Sequence, residues 1–546
     1  MQTETELSTS PFEQSVNHPG PPGVWRWLIP VLIAVLGSVW ILAGLDHGML
    51  WQDEAQTALI SQTVLQHGVP LGTDGRNFFS QEQGAEYGPH YLWRWHTWLM
   101  FYLVAGSFKL LGAGTFSARL PFALFGVATV VLAYFAGTEL WRDWRAGLAA
   151  ALLVLACVPA LLLFRQCRYY SLCMFFSLLG LHAYVQLVRG RRWAWLTLSA
   201  AAILLFHSHY IYCATLIAAI GLHALIWHRR HWRMLLLCLA IVVVVCGPWA
   251  VWLSHANYSQ RYDRSLLNFG ATAAQGRDYV LELLRYDFPW CLLLVPAVWT
   301  LKRGWTHWAD RIDLAALPIL FTVINVVVLA ATGPASFSRY LAPVIVPMLL
   351  VGGQLVVLAF DTGIWIGLPL VAVLALWWPL VSYGYEITHP LVGPIEGLVS
   401  FFKANAGPND TVVMTYGDLP VAFYTGLRVV GPYSGEEFSQ AAAARWVVPR
   451  HFMVASTELP LRKYLMHDLD MRRYRSFTLS APDTEFENRE DLAEHRFWSA
   501  GPQVPRVLVL ERMGDERDGD STGSKERRST SLGATRFDDN EAATKR

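Results

Sequence analysis

Long apolar runs separated by short polar turns fill the chain from about residue 24 to 383, and the residues beyond follow another pattern. The runs fall at 24–45, 117–139, 146–164, 169–188, 193–207, 210–227, 233–253, 286–301, 312–331, 339–359 and 364–383. Most approach or exceed the ~20 apolar residues that an α-helix needs to cross a bilayer. The stretches 193–207 and 286–301 are shorter, with soft edges. A further apolar segment, 93–111, carries Trp93, Arg94, Trp95 and Trp98 at one end and Lys109 at the other. Such flanks predict a re-entrant or interfacial helix, with a full crossing as the alternative. The pattern predicts a polytopic α-helical membrane protein with about 11–13 transmembrane helices.

From 384 to 512 the period changes. Short β-rich runs (TVVMTYG, LRVVGPY, RWVVPRHFMV, RVLVLERM) alternate with polar and helical stretches, which predicts a small α/β domain. Residues 513–546 are charged and lack any apolar pattern, as a disordered tail would. Residues 1–23 hold no Lys or Arg, so the positive start of a cleavable signal is missing, and the first run is expected to stay as an anchor.

Composition agrees with a membrane protein: 54% of residues are hydrophobic and only 16% charged. The net charge of +1 gives no pointer to nucleic acid. Cysteines 157, 167, 173, 213, 238, 246 and 291 sit in or beside apolar runs without a CxxC pair, so neither a disulfide framework nor structural zinc is expected. Four loops are basic: WRDWR at 141–145, RGRR at 189–192, HRRHWR at 228–233 and the stretch 302–311. The positive-inside rule assigns them to the cytoplasm, and the runs between them come in pairs. Parity then puts 1–23 in the cytoplasm and both 46–116 and 384–512 on the external face of the inner membrane. The first of these reads as a large loop with two membrane-surface helices. Charged residues in the runs (Arg119, Glu139, Asp287, Asp313) are expected at their ends, which weakens an ion-coupled transporter reading.

Several groups converge on the external rim, each with a plainer use as well. Asp53 and Glu54 follow the first run; Asp53 and Gln56 fit a capping box for a helix ending at Gly68. A carboxylate there could equally take a proton from an acceptor hydroxyl. Glu86 precedes an aromatic stretch, AEYGPHYLWRW, which alone reads as a solvated loop meeting an aromatic belt. FRQCRYYS carries Arg165, Arg168 and Tyr169 at a span end; such arginines either snorkel to headgroups or grip a phosphate bidentately. FHSHY supplies His207, His209 and Tyr210, and two histidines at i, i+2 make a weak metal motif. FSRYLAP supplies Arg339 and Tyr340.

On DEA at 53–55, E-x-x-P-x-x-x-W at 86–93, SFKLLGAGTFSARLPFALFG at 107–126, FRQCRYYSL at 164–172, the HSHY turn and SRYLAPVIVP at 338–347, the chain resembles the polyprenyl-phosphate-sugar-dependent GT-C glycosyltransferases. Within them it is most similar to the bacterial protein O-mannosyltransferase and aminoarabinose transferase group, over about 24–385. The resemblance implies a GT-C membrane domain at 24–383 and inverting transfer of a sugar from a polyprenyl-phosphate donor to an envelope glycan, lipid or protein. It implies Asp53 as base, with Glu54 and Glu86 in support. Arg168, Arg165, Tyr169 and Arg339 would hold the donor phosphate, and His207, His209, Tyr210 and Tyr340 would line the substrate site. The residues assign no definite cofactor, and a divalent cation near Asp53 and Glu86 is compatible. Two departures stand out: Gln56-Thr57 replace the basic or aromatic pair that aminoarabinose transferases often carry after DEA, and Tyr87-Gly88 follow Glu86 where a Lys is usual. Two other readings fit the same runs: a flippase for lipid-linked sugars, or a membrane anchor whose α/β domain binds cell-wall material.

Overall fold

The computed structural model describes residues 21, 23–254, 269–303, 312–332, 337–377, 380–390, 392–436, 443–451, 463–465, 469–484 and 505–513. The expected tails at 1–20 and 514–546, and most of the polar turn at 254–263 and the basic stretch 302–311, lie outside these residues. Among the described residues seven helices are long and apolar enough to cross a membrane, or nine if two bent pairs each count as one span.

After α1 (Trp25–Leu42) come α2 (Gln52–His67) and α3 (Leu99–Leu111), then α4 (Thr115–Trp141), α5 (Trp144–Ala156), α6 (Val158–Phe164) and α7 (Tyr170–Val188). There follow α8 (Ala194–Ser208), α9 (Tyr210–Trp227), α10 (Trp232–Ser254), α11 (Phe269–Glu282), α12 (Leu294–Arg303), α13 (Ile312–Thr332), α14 (Ala342–Thr362), α15 (Ile364–Trp377) and α16 (Leu380–Thr388). The run 146–164 is not one straight span: α5 and α6 meet at 72°. Pro159 explains the break, since it offers no N–H and clashes with the carbonyl four residues back. The runs 193–207 and 286–301 yield only short helices; α8, at 15 residues, is about 22 Å long. Asp287, expected at a span end, is buried in a π-helical turn, and its carboxyl oxygens meet no hydrogen-bond partner among the described residues.

Small residues let the central helices approach closely. A Cβ on Gly147 would fall 2.3 Å from the Tyr134 carbonyl of α4, and one on Gly353 would fall 2.6 Å from the Ala146 carbonyl of α5. Backbone contact of this kind is how helices pack where lipid removes the hydrophobic driving force.

Two expectations for the first loop change. The N-cap of α2 is Trp51, not Asp53; Glu54, three positions on, reaches back to the Trp51 N–H at 3.3 Å. The carboxylate serving the helix start is therefore the second of the pair. Nor does α2 lie on a surface with one wet face. Gln52, Glu54, Gln56, Thr57, Ser61 and Thr63 are buried together with its apolar residues, because the helix is packed between α3 and the C-terminal domain. It stops at Gly68, whose φ of 76° is the left-handed cap that glycine supplies.

The C-terminal domain holds α17 (Pro394–Asn405), β1 (Thr411–Met414), α18 (Asp418–Thr425), β2 (Arg428–Val430), β3 (Trp446–Val448), β4 (Tyr474–Pro482) and β5 (Arg506–Arg512). The sheet runs β2-β1-β3-β5-β4, with β1 parallel to β2 and β3, and β5 antiparallel to β3 and β4. Its core includes Leu398, Phe402, Val412, Trp446 and Val509.

Candidate active site

Asp53 occupies the first turn of α2, at the end of the bundle where α4, α7 and α9 begin. Its Oδ1 accepts a hydrogen bond from Gln81 Nε2 at 3.1 Å, and its Oδ2 lies 3.8 Å from Arg168 Nη2 with its side chain 17% exposed. Arg168 stands in the short loop between α6 and α7. Its Nη1 donates to the Asp53 carbonyl at 3.2 Å and to Thr57 Oγ1 at 3.1 Å, with Gln56 Oε1 at 3.5 Å. Gln56 and Thr57, the first of the two departures from the aminoarabinose transferase pattern, thus serve as seats for this arginine. Burial alone would lower the Arg168 pKa, but Asp53 together with Tyr170 and Tyr169 outweighs that and holds the guanidinium charged, above its ordinary value. Its Nε finds no partner among the described residues.

Arg339 faces Arg168 closely enough for the two charges to repel. It sits in a 3₁₀ turn, Ser338–Leu341, that leads into α14, with its guanidinium over the rings of Phe337, Trp51 and Tyr340. The turn is tied to α9 by Tyr212, whose hydroxyl donates to the Tyr340 carbonyl at 3.0 Å. Tyr169 meets two imidazoles at tilted angles, His209 at 4.8 Å and His96 at 5.6 Å, and carries the Arg168 guanidinium over its ring. Burial, with Arg168 nearby, pushes His209 down to about 3 and His96 well below its usual value, so both are neutral donors or acceptors. Asp53, Arg168, Tyr169, His209, Arg339 and Tyr340 form one constellation.

Other predicted residues fall elsewhere. Glu54 is fully buried; Arg119 Nε and Nη2 donate to it at 2.9 and 2.7 Å, and the Cys167 N–H at 2.7 Å. Arg119 also donates to the carbonyls of Leu45, His47 and Gly48, so this pair knots the end of the 43–51 turn. Arg165 does not face the constellation. Its Nη1 and Nη2 donate to the carbonyls of Ile41, Ala43 and Gly44 at 2.6–2.8 Å, capping the C-terminal end of α1, where unpaired carbonyls favour a cation. His207 packs edge-on against Trp249 in a cluster with Trp98 and Trp252, and Tyr210 stacks on His209 at 5.5 Å.

Glu86 lies beneath Asp53, 2% exposed, taking hydrogen bonds from Ser80 Oγ, the Gln81 and Glu82 N–H groups and Gln56 Nε2. Burial outweighs these donors and raises it to about 7. Through Gln81 it holds a partner of Asp53, and through Gln56 a partner of Arg168. Among the described residues no three His, Cys, Asp or Glu side chains come together to hold a metal ion. Of the Asp53 and Glu86 carboxylates, Asp53 is the more exposed.

His96, Gln81, Gln56 and Thr57 are the members that reading the chain for charges passes over. Helical spacing from Asp53 does reveal Gln56 and Thr57, at i+3 and i+4. His96 and Gln81 come together with the site only through the fold of the loop, where the isolated bridges Leu71–Leu92, Thr73–Phe78 and Tyr87–Trp93 close it on itself.

The family described as dolichyl-phosphate-mannose-protein mannosyltransferase matches residues 95–252, which include His96, Arg168 and His209. The undecaprenyl phosphate-alpha-4-amino-4-deoxy-L-arabinose arabinosyl transferase 1 of Pseudomonas fluorescens Pf-5 is 25% identical over 357 residues, 61% of this chain and 60% of its own length. Transferase 2 of the same organism is 27% identical over 290 residues, 49% of this chain and 47% of its own. The chain therefore spans about three fifths or less of these curated relatives. In three dimensions it is similar to the crystal structure of ArnT from Cupriavidus metallidurans bound to undecaprenyl phosphate, with TM-score 0.57 and 15% identity, over 89% of this chain and 98% of that one. The archaeal oligosaccharyltransferase AglB from Archaeoglobus fulgidus, in complex with an inhibitory peptide and a dolichol-phosphate, gives 0.52 and 10%, over 85% and 74%. At these identities the likeness is one of fold.

Proposed function

We propose, from the premise that this chain has the fold of the GT-C glycosyltransferases and shares sequence with undecaprenyl-phosphate-dependent transferases, that it moves a sugar from a polyprenyl-phosphate donor to an envelope glycan, lipid or protein. The observation that carries this reading is the partly exposed Asp53 carboxylate 3.8 Å from Arg168, with the charge of Arg339 acting on Arg168 as well.

In the proposed reaction, Asp53 takes the proton of an acceptor hydroxyl. The hydroxyl oxygen attacks the anomeric carbon from the face opposite the phosphate, the bond between that carbon and the phosphate oxygen breaks, and the configuration inverts. The bonding pair leaves with the lipid phosphate, whose extra charge falls to Arg168 and Arg339. Phosphate is already a good leaving group, so most of the stabilisation required is electrostatic. Neutral His209 and His96, flanking Tyr169, offer hydrogen bonds to sugar hydroxyls without adding charge. The donor's polyprenyl chain would lie against the apolar helices below.

The external face of the inner membrane fits this site. Asp53 and Arg168 gather where α4, α7 and α9 begin, and the basic loops 141–145, 189–192 and 228–233 follow the opposite ends of the same helices. The experiment is reconstitution of wild type and Asp53→Asn with labelled undecaprenyl-phosphate sugars and extracted envelope acceptors. Label transferred by wild type and lost in Asp53→Asn supports the reading. Equal transfer by both removes Asp53 as the base, and label that crosses the bilayer untransferred favours a flippase.

A further inference from the structure

The start of α2 is held from outside the membrane domain. The Met49 N–H donates to Glu396 Oε1 at 2.5 Å, and the other oxygen of that carboxylate accepts from the Gly393 N–H at the start of α17. The Leu50 N–H donates to the Tyr424 hydroxyl at 2.9 Å, and that hydroxyl also meets Thr115 Oγ1 at 2.7 Å, at the first residue of α4. Gln52, one position before Asp53, donates its amide to Asp418 Oδ1 at 2.8 Å, with both side chains buried. A Cβ on Gly431 would fall 2.3 Å from the Asp418 carboxylate, so the backbone beside β2 walls that carboxylate in.

The second support of Asp53 is anchored to the same domain. Gln81, which donates to Asp53, belongs to a loop whose flanks are tied down on either side. Asn77, nearly fully buried, gives its amide to the Leu427 carbonyl at 3.0 Å and accepts from the Val429 N–H at 2.8 Å. Arg76 donates to the Gly426 and Pro408 carbonyls, and the Gln83 N–H to the Tyr433 carbonyl at 2.9 Å. Both arms that reach Asp53, the helix start and the Gln81 side chain, are therefore fixed against α17, α18 and β2.

We infer that the C-terminal domain is part of the catalytic unit, and that Asp418 and Tyr424, with Glu396, are positioning residues that set the Asp53 carboxylate at the acceptor. This rests on the transferase reading above. It also assigns the domain a role that needs no ligand of its own. Misplacing a reacting group by about 1 Å can cost on the order of 100-fold in rate while leaving remote binding intact. The phosphate seat is built on Arg168, held by Gln56 and Thr57 a turn further along α2 as well as by Asp53, and on Arg339, in the turn before α14.

Asp418→Ala should lower the turnover of sugar transfer about 10-fold or more, with affinity for undecaprenyl phosphate unchanged within about 2-fold. Asp418→Asn keeps an oxygen for the Gln52 amide and should restore turnover. Turnover equal to wild type in Asp418→Ala overturns the inference. So does a parallel fall of turnover, affinity and melting temperature that Asp418→Asn fails to rescue, since that is general destabilisation. Amide exchange across the start of α2, measured on the same full-length proteins without donor, decides the point separately. Faster exchange in Asp418→Ala, restored in Asp418→Asn, supports the inference, and equal exchange overturns it. Absence of transfer by wild type would count against the transferase reading alone. Should Asp418→Ala not fold, Tyr424→Phe, which removes only a hydroxyl, replaces it in each measurement.

Discussion

Asp53 and Glu54 are adjacent, yet their carboxylates belong to two differently built regions. Glu54, with Arg119 and the nearby Arg165, lies in a sealed knot where carbonyls and N–H groups of the chain take up the charges. Asp53, with Arg168 and Arg339, lies in a looser cluster at the mouth of the bundle. There the ion pair is 3.8 Å long against 2.7 Å for Glu54–Arg119, and Asp53 is partly exposed. A charge that holds the fold has its hydrogen-bonding capacity consumed, because an unpaired buried charge is costly. A charge kept for a ligand retains some of that capacity.

The largest effect that could break this contrast is at Asp53. Asp53→Asn should lower sugar transfer by roughly 10²–10⁴-fold, the range for loss of a general base, with little change in melting temperature. Next is the sealed pair. Glu54→Gln leaves Arg119 buried without its carboxylate and should cost about 3–5 kcal/mol of stability, read as a lowered unfolding midpoint in detergent. A stable Glu54→Gln protein alongside an unstable Asp53→Asn protein would reverse the comparison.

A smaller effect sharpens it through pH. Glu86 rises from 4.5 to about 7 in the folded chain, so between those values the folded state holds a proton that the unfolded state has lost. Its stabilising contribution is complete below about 4.5 and disappears as pH rises to about 7, worth at most roughly 3 kcal/mol. The stability of wild type relative to Glu86→Gln should therefore fall across that window. A difference that stays flat with pH would mean that Glu86 does not change protonation there.

Much of the membrane architecture is legible in the sequence because lipid imposes long apolar runs and basic loops. Asp53, Arg168 and Arg339 stand out for a related reason: charges beside such runs are few. What stays hidden is set by contacts distant in sequence. Nothing local distinguishes Arg165 from Arg168; one finds the end of α1 and the other the first turn of α2. The pattern of α2 suggests a surface helix because the C-terminal domain that covers it lies some 350 residues away, as with Gln52 and Asp418 at a separation of 366. The break at Pro159 is readable from the residue itself, whereas the burial of Asp287 follows from tertiary packing.

The two arginines give the most direct test. Undecaprenyl phosphate is titrated against wild type, Arg168→Gln and Arg165→Gln, with melting temperature recorded for each. The account predicts affinity about 10–100-fold weaker in Arg168→Gln, the range for losing charge-assisted hydrogen bonds, and little loss of stability. It predicts near-wild-type affinity in Arg165→Gln, with the melting temperature lowered. Wild-type affinity in Arg168→Gln, or a loss of affinity confined to Arg165→Gln, would contradict it.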